Sequence, residues 1–225
     1  FDGCCNLASV NIPNSVTRIG DNAFSYCDRL ASVNIPNSVT SIGNEAFFYC
    51  GGLTSVNIPN SVTSIGDGAF GFCSSLASIN IPNSVTSIGE RAFQSCNSLA
   101  SVNIPNSVTS IGNEAFVNVK NIVYNGTDEG RPWGALTING VIDGDFIFAD
   151  AEKKQLTAYV GEGGSVTIPN SVTSIGSLAF YECSNLASVT IPNSVTSTDY
   201  GVFYNCSNLK TVILPESVMY IGWNS

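Results

Sequence analysis

The 225-residue chain has no histidine, one methionine and little charge, with 11% of its residues Asp, Glu, Lys or Arg. Ordinary globular domains carry about 25%. Without histidine there is no Ser-His-Asp or Cys-His nucleophile and no His-ligated metal site. Seventeen acids against eight bases leave a net charge of −9. That balance argues against a protein that tracks nucleic-acid phosphates or an anionic membrane. No apolar run approaches the roughly 18 residues that span a bilayer, so direct membrane insertion of this segment is not expected. An initiator Met, a basic n-region and a signal-peptide h-region are also missing at Phe1. Ser, Thr and Asn must therefore cover the surface.

What is present is a repeat. IPNSVT begins at Ile12, Ile35, Ile58, Ile81, Ile104, Ile168 and Ile191, and a degenerate LPESVM begins at Leu214. Pro13, Pro36, Pro59, Pro82 and Pro105 follow one another at 23 residues, as do Pro169, Pro192 and Pro215. From Pro105 to Pro169 the distance is 64. A fixed period of this size marks a solenoid in which each coil packs only on its neighbours.

Within one coil, Leu30, Val33 and Ile35 alternate inward while Ser32 and Asn34 point outward, the period of a half-buried strand. Pro36-Asn37 stops the ladder. Val39 and Ile42 predict a second, shorter extended segment. Gly43 is expected to take a backbone conformation that a Cβ would penalise. Asp21, Asn44, Asp67, Glu90, Asn113 and Ser177 come next in successive coils. All but Glu are good N-caps, which predicts a helical turn carrying Ala46-Phe47. Phe24, Phe47, Phe70, Phe93, Phe116, Phe180 and Phe203 are expected to stack as an internal column. The fold class is therefore an α/β repeat, a right-handed, β-rich solenoid of about 23-residue coils.

Three stretches organise the chain: a repeat array over 1–116, irregular coils over 117–164, and repeats again over 165–225. The three are expected to form one continuous solenoid. Neither end carries a polar capping unit, which suggests a segment of a longer array. In the interruption, Val119–Tyr124 fits the strand pattern on a shortened coil. Asp145–Asp150 and Gln155–Val160 predict a β-hairpin around Ala151–Lys154, and Asn125–Trp133 a turn-rich loop. Asp128, Glu129, Asp143, Asp145, Asp150, Glu152 and Glu162 gather here, on an insertion of the kind that projects to bind something.

The pattern AFxxCxxLxSVxIPxSVTSIG resembles the BspA-like, or Treponema-type, leucine-rich repeats. Leu53, Val56, Ile58, Pro59, Val62, Ile65, Gly66, Ala69, Phe70 and Cys73 occupy framework positions of that class. The resemblance covers 1–116 and 165–225, and the Tyr124–Gly126, Trp133-Gly134 and Asp143-Gly144 elements look like an inter-repeat segment of the same family. It implies an extracellular or surface-displayed, non-enzymatic adhesin, whose better-known relatives attach to host matrix and plasma proteins such as fibronectin and fibrinogen.

Two surfaces are candidates for partner contact. One is the outward Ser and Asn columns, including Ser32, Asn34, Ser55, Asn57, Ser78 and Asn80. Stacked at strand spacing, their amides are able to bond as a ladder and offer a flat platform for protein or glycan, or simply to solubilise the sheet. The other is an aromatic rim of Tyr26, Phe48, Tyr49 and Phe72, which serves either as a contact patch or as packing between coils. A structural spacer is the competing reading of the whole chain. Glycan recognition is another, with Trp133 as its reporter.

Cys4, Cys27, Cys50, Cys73 and Cys96 share one column, as do Cys183 and Cys206. No Cys-x-x-Cys pairs suit zinc, and parallel Cβ vectors disfavour disulfides, so buried free thiols are expected, with Cys5 open to pairing. Asp143, Asp145, Asp150 and Glu152 lack EF-hand or RTX spacing, so neither a metal nor another cofactor is expected. Asn125-Gly126-Thr127 and Asn205-Cys206-Ser207 fit the N-glycosylation pattern. Thr198, Asp199 and Tyr200 break the repeat, predicting local loosening.

Overall fold

The computed structural model describes residues 1–126 and 133–225. The Asp128 and Glu129 carboxylates, Thr127 of the glycosylation pattern and most of the expected Asn125–Trp133 loop lie outside the described residues. The chain divides into two compact units, Phe1–Ile138 and Asn139–Ser225.

The N-terminal unit is a β-solenoid. Strands Ser9–Asn11, Ser32–Asn34, Ser55–Asn57 and Ser78–Asn80 form one parallel sheet in that order, in register, with Val33 opposite Val56. Arg18–Ile19, Ser41–Ile42, Ser64–Ile65, Ser87–Ile88 and Ser110–Ile111 form a second parallel sheet. One-residue alternation sends Val33, Val56 and Val102 inward and leaves Asn34, Asn57 and Asn103 outside. Ile122–Val123 continues the stack at a 20-residue offset, pairing Ile122 with Val102. In the shortened coil Tyr124 Oη donates to Val108 O at 2.8 Å.

The recurrent serine after Pro-Asn has a partner one coil away. Ser38 Oγ donates to Val16 O, and Ser61, Ser84 and Ser107 do the same for Val39, Val62 and Val85, at 2.5–2.8 Å. The Phe column is real. Rings from Phe1 through Phe24, Phe47, Phe70, Phe93 and Phe116 stack at 5.3–5.5 Å, within 9° of parallel. Phe1 is largely exposed, while burying each ring from Phe24 to Phe116 contributes roughly 1.5–3 kcal/mol, and the offset contact adds up to about 1.5.

Three expectations are corrected in the segment after the short strand. There is no helix among the described residues, so the α/β label gives way to an all-β solenoid. Where a helical turn was expected at Ala46-Phe47, the chain runs as linked β-turns. Ala23 N–H and Cys27 N–H bond within their own coil, to Gly20 O and Phe24 O, while Phe24 N–H reaches Ala46 O of the next coil at 2.8 Å. Phe47 and Phe70 repeat this to Ala69 and Ala92. A neighbouring coil at strand spacing offers carbonyls that an isolated helix lacks, and the turns exploit them. Positive φ at Asn22 and Tyr26, and at Glu45 and Tyr49, falls on the third turn residue, as a type II turn requires.

The expected N-caps likewise bond across coils. Asp21 Oδ1 accepts Asn44 N–H at 2.8 Å, Asn44 Oδ1 accepts Asp67 N–H at 2.9 Å, and Asp67 Oδ1 accepts Glu90 N–H at 2.8 Å. Gly43 and Gly66 do not take a left-handed conformation. They are glycines because the adjacent coil's backbone passes too close: a Cβ on Gly66 would sit 2.6 Å from Gly43 C and 2.7 Å from Asn44 N.

In the C-terminal unit, Val141–Asp143 pairs antiparallel with Phe146–Phe148, which pairs antiparallel with Gln155–Tyr159. Gln155–Tyr159 then joins Ser174–Ile175 in parallel, so these strands are part of the sheet itself. Gly164–Thr167, Leu186–Thr190 and Thr211–Ile213 form a second parallel sheet. Within this unit Tyr159 stacks on Phe180 at 5.2 Å. At the irregular coil, the pairing loosens to isolated bridges at Ser197 and Thr198. The buried Thr198 hydroxyl accepts Gly222 N–H at 3.3 Å.

Candidate functional site

The four aromatics of the rim come together. Tyr26 and Tyr49 stack at 5.2 Å, Tyr49 and Phe72 at 4.5 Å, and Phe48 meets all three edge-on at 4.9–5.9 Å. Tyr26 is 48% and Tyr49 38% exposed, while Phe48 and Phe72 are half-buried. Packing between coils and outward display are thus both true of this cluster. Phe48 leans over the next coil, where a Cβ on Gly71 would lie 2.9 Å from its ring and one on Gly68 3.2 Å from Glu45. The glycines make room for the ring.

Backbone conformation marks the same residues. Tyr26, Tyr49 and Phe72 have φ of 57, 56 and 61°. Equivalent positions elsewhere hold Gly3, Ser95, Asn118, Glu182 and Asn205, also with positive φ. Gly and Asn tolerate this region, whereas a bulky side chain costs about 1–2 kcal/mol there. Three adjacent coils thus hold aromatic rings in a conformation that disfavours them. The sequence signals exposure through the variability of these positions, but their backbone strain is visible only in three dimensions.

The sequence did not point to the groove beside the rim. Glu45, Phe48, Asp67, Phe72, Arg91 and Glu114 line an open depression of about 510 Å³. Arg91 Nε donates to Glu114 Oε2 at 2.7 Å, with Glu90 3.5 Å from its other nitrogen.

On the sheet face, Ser32, Asn34, Ser55, Asn57, Ser78 and Asn80 are exposed and in register. Among the described residues no side-chain bond joins Asn34, Asn57 and Asn80, so the amide ladder does not form and these groups face solvent. The expected glycan reporter is misplaced: Trp133 is 4% exposed and packs edge-on against Tyr124. Among the described residues the insertion acids do not converge. Asp143 pairs with Lys153 at 2.7 Å, and Asp150 Oδ1 accepts Glu152 N–H at 2.9 Å. Among the described residues no cluster of three or more acids and cysteines is arranged to hold a metal ion.

None of the eight cysteines forms a disulfide among the described residues. Those of the column are more than small apolar residues: Cys50, Cys73 and Cys96 Sγ donate to Phe24, Phe47 and Phe70 O at 3.1 Å. Burial pushes Cys50 and Cys96 up to about 12 and raises Cys27 and Cys73 as well. Reaction of the native protein with Ellman's reagent is expected to label the exposed Cys4 and Cys5 rapidly and Cys50, Cys73 and Cys96 only on unfolding. Rapid native labelling of Cys50, Cys73 or Cys96 would contradict this packing.

Residues 1–123 and 161–225 match a family model described as BspA type leucine rich repeat region, in six copies. Among solved structures, a leucine rich cell surface protein from Faecalibacterium prausnitzii is 33% identical, over 96% of this chain and 64% of its own, with a TM-score of 0.49. A leucine-rich repeat protein from Bacteroides ovatus is 27% identical over 98% of this chain and 72% of its own, at 0.50. The leucine rich repeat protein of T. pallidum is 28% identical over 91% and 77%, at 0.41. The chain therefore spans less than two thirds of the Faecalibacterium protein. No curated protein matches it. No helix of the described residues is long and apolar enough to cross a membrane.

Proposed function

The chain belongs to the BspA-type leucine-rich repeat family, and on that premise we propose that it is a non-enzymatic, surface-displayed adhesion module whose aromatic rim contacts a host matrix or plasma protein. The observation that carries the reading is the retention of Tyr26, Tyr49 and Phe72 at left-handed positions on neighbouring coils. Gly and Asn are the residues that this backbone conformation favours, and Gly3, Asn118 and Asn205 supply them in other coils. Exposed, pre-stacked rings lose little freedom on binding and supply the large contact area typical of interface anchors. The neutral Ser/Asn columns extend the contact with many weak hydrogen bonds, which gain by repetition.

The test is a triple variant, Tyr26→Asn, Tyr49→Asn and Phe72→Asn, which borrows the residue of Asn118 and Asn205. Binding to immobilised fibronectin and fibrinogen is expected to fall at least about tenfold, as for loss of interface anchors. Melting temperature is expected to hold, because relief of backbone strain offsets the lost stacking. Absence of saturable wild-type binding to any matrix or plasma protein would sink the proposal. Glycan recognition is a second reading, favoured by the exposed Ser–Asn platform, and a glycan array separates the two.

A further inference from the structure

We propose that the groove beside the aromatic rim receives a basic segment of the partner protein, with an arginine or lysine side chain lying against Phe48 and Phe72 and its charge facing Glu45 and Asp67. The inference rests on the reading of the rim as a protein-contact surface and specifies the chemistry of what it contacts.

The groove, at about 510 Å³, accommodates one or two long side chains. Its walls have two kinds of surface. Phe48 and Phe72 meet at 5.5 Å, nearly perpendicular, and supply an aromatic wall. Glu45 and Asp67 supply carboxylates from two different coils, and both are exposed. The groove's own cation does not neutralise them, since Arg91 is held by Glu114 and Glu90. Among the described residues neither Glu45 nor Asp67 has an ion-pair partner. Asp67 Oδ1 accepts Glu90 N–H, which leaves its second oxygen for an incoming donor.

A neutral or acidic partner docking on the rings would strip water from two carboxylates without replacing it. A guanidinium supplies donors in the right number and stacks flat on an aromatic face, where cation–π attraction adds to the ion pair. The net charge of −9 favours the approach of a basic chain over longer range.

Residues found at equivalent positions in other coils give test variants that preserve the fold. Glu45→Asn copies Asn22, Asp67→Asn copies Asn44, Phe48→Gln copies Gln94, and Phe72→Ser copies Ser95. The probe is a short fluorescein-labelled oligoarginine, with an oligoglutamine of equal length as control, read by fluorescence anisotropy on the full chain. Wild type is expected to bind oligoarginine over oligoglutamine, more weakly at high salt. The Glu45→Asn/Asp67→Asn and Phe48→Gln/Phe72→Ser pairs are each expected to weaken it about tenfold. Arg91→Asn, which frees Glu90 and Glu114, is expected to tighten it about threefold. No oligoarginine binding, or affinity untouched by either pair, overturns the proposal; in the second case the attraction is only diffuse charge. If oligoarginine fails while rim-dependent capture of fibronectin or fibrinogen persists, the basic-segment chemistry falls and the contact surface stands. If oligoarginine binds at the groove and no matrix protein does, this inference is supported and the matrix reading falls.

Discussion

The Gly66→Ala variant is expected to lose about 3 kcal/mol or more of stability, whereas Gly20→Ala is expected to change by less than about 1 kcal/mol. The two glycines occupy the same place in the repeat, after the same Ser/Arg-Ile pair. They differ in what stands beside them. A Cβ on Gly66 would lie 2.6–2.7 Å from backbone atoms of Gly43 and Asn44, and on Gly20 nothing lies within 4 Å. Backbone atoms cannot swing aside as a side-chain tip does, so relief requires prising the coils apart. That movement strains the Gly66 N–H bond to Ile42 O at 2.9 Å and the Asp67 N–H bond to Asn44 Oδ1. Neither substitution incurs a left-handed penalty, so the comparison isolates close approach from conformational freedom. Urea unfolding followed by Trp133 emission, which reports the N-terminal unit, measures both variants. Equal midpoints for the two would refute the close-approach explanation.

Alkali is expected to unfold the N-terminal unit before it reaches ordinary protein chemistry. The folded protein keeps the Cys50 and Cys96 protons to about 12, against the ordinary thiol value of 9.0. Cys73 shifts in the same direction, also through burial. Below pH 9 folded and unfolded chains hold these protons alike, and no stability depends on them. Above it the unfolded chain holds fewer, so stability falls as pH rises from 9 toward 12. Cys50 and Cys96 each contribute about 1.4 kcal/mol per pH unit in that window. For Cys50 and Cys96 together this comes to about 3 kcal/mol at pH 10, and Cys73 adds in the same direction. Tyr181, raised to about 12 by burial and then by Glu182, acts in the same sense for the C-terminal unit. Denaturation midpoints across pH 8 to 11 in reductant test the slope. A Cys50→Ala/Cys73→Ala/Cys96→Ala variant is expected to start less stable and to lose most of the pH dependence. A flat wild-type profile over this range would show that the column thiols ionise freely.

Much of this protein is determined by its sequence alone. The 23-residue step and the period-two alternation place Val33, Val56, Phe47 and Phe70 inside, because a strand has only two faces and every copy repeats the choice. The same copying explains why most cysteines are one core position instead of a metal or disulfide framework. Where a residue's partner lies one coil away, the sequence was silent. Read within its own coil, Asp67 is a helix cap, and Gly66, like Gly43, a glycine needed for a backbone conformation that a Cβ would penalise. Both readings fail, because the Asp67 carboxylate serves the next coil's amide and Gly66 is small so that the previous coil can pass. Helix gives way to linked turns for the same reason: half of the amides find acceptors on the neighbouring coil. The groove belongs to this class as well, since Glu45, Asp67, Arg91 and Glu114 come from four coils and meet only through stacking. Local pattern decides which way a side chain points. Which group it meets there is decided by the register of one coil upon the next, and only the tertiary structure carries it.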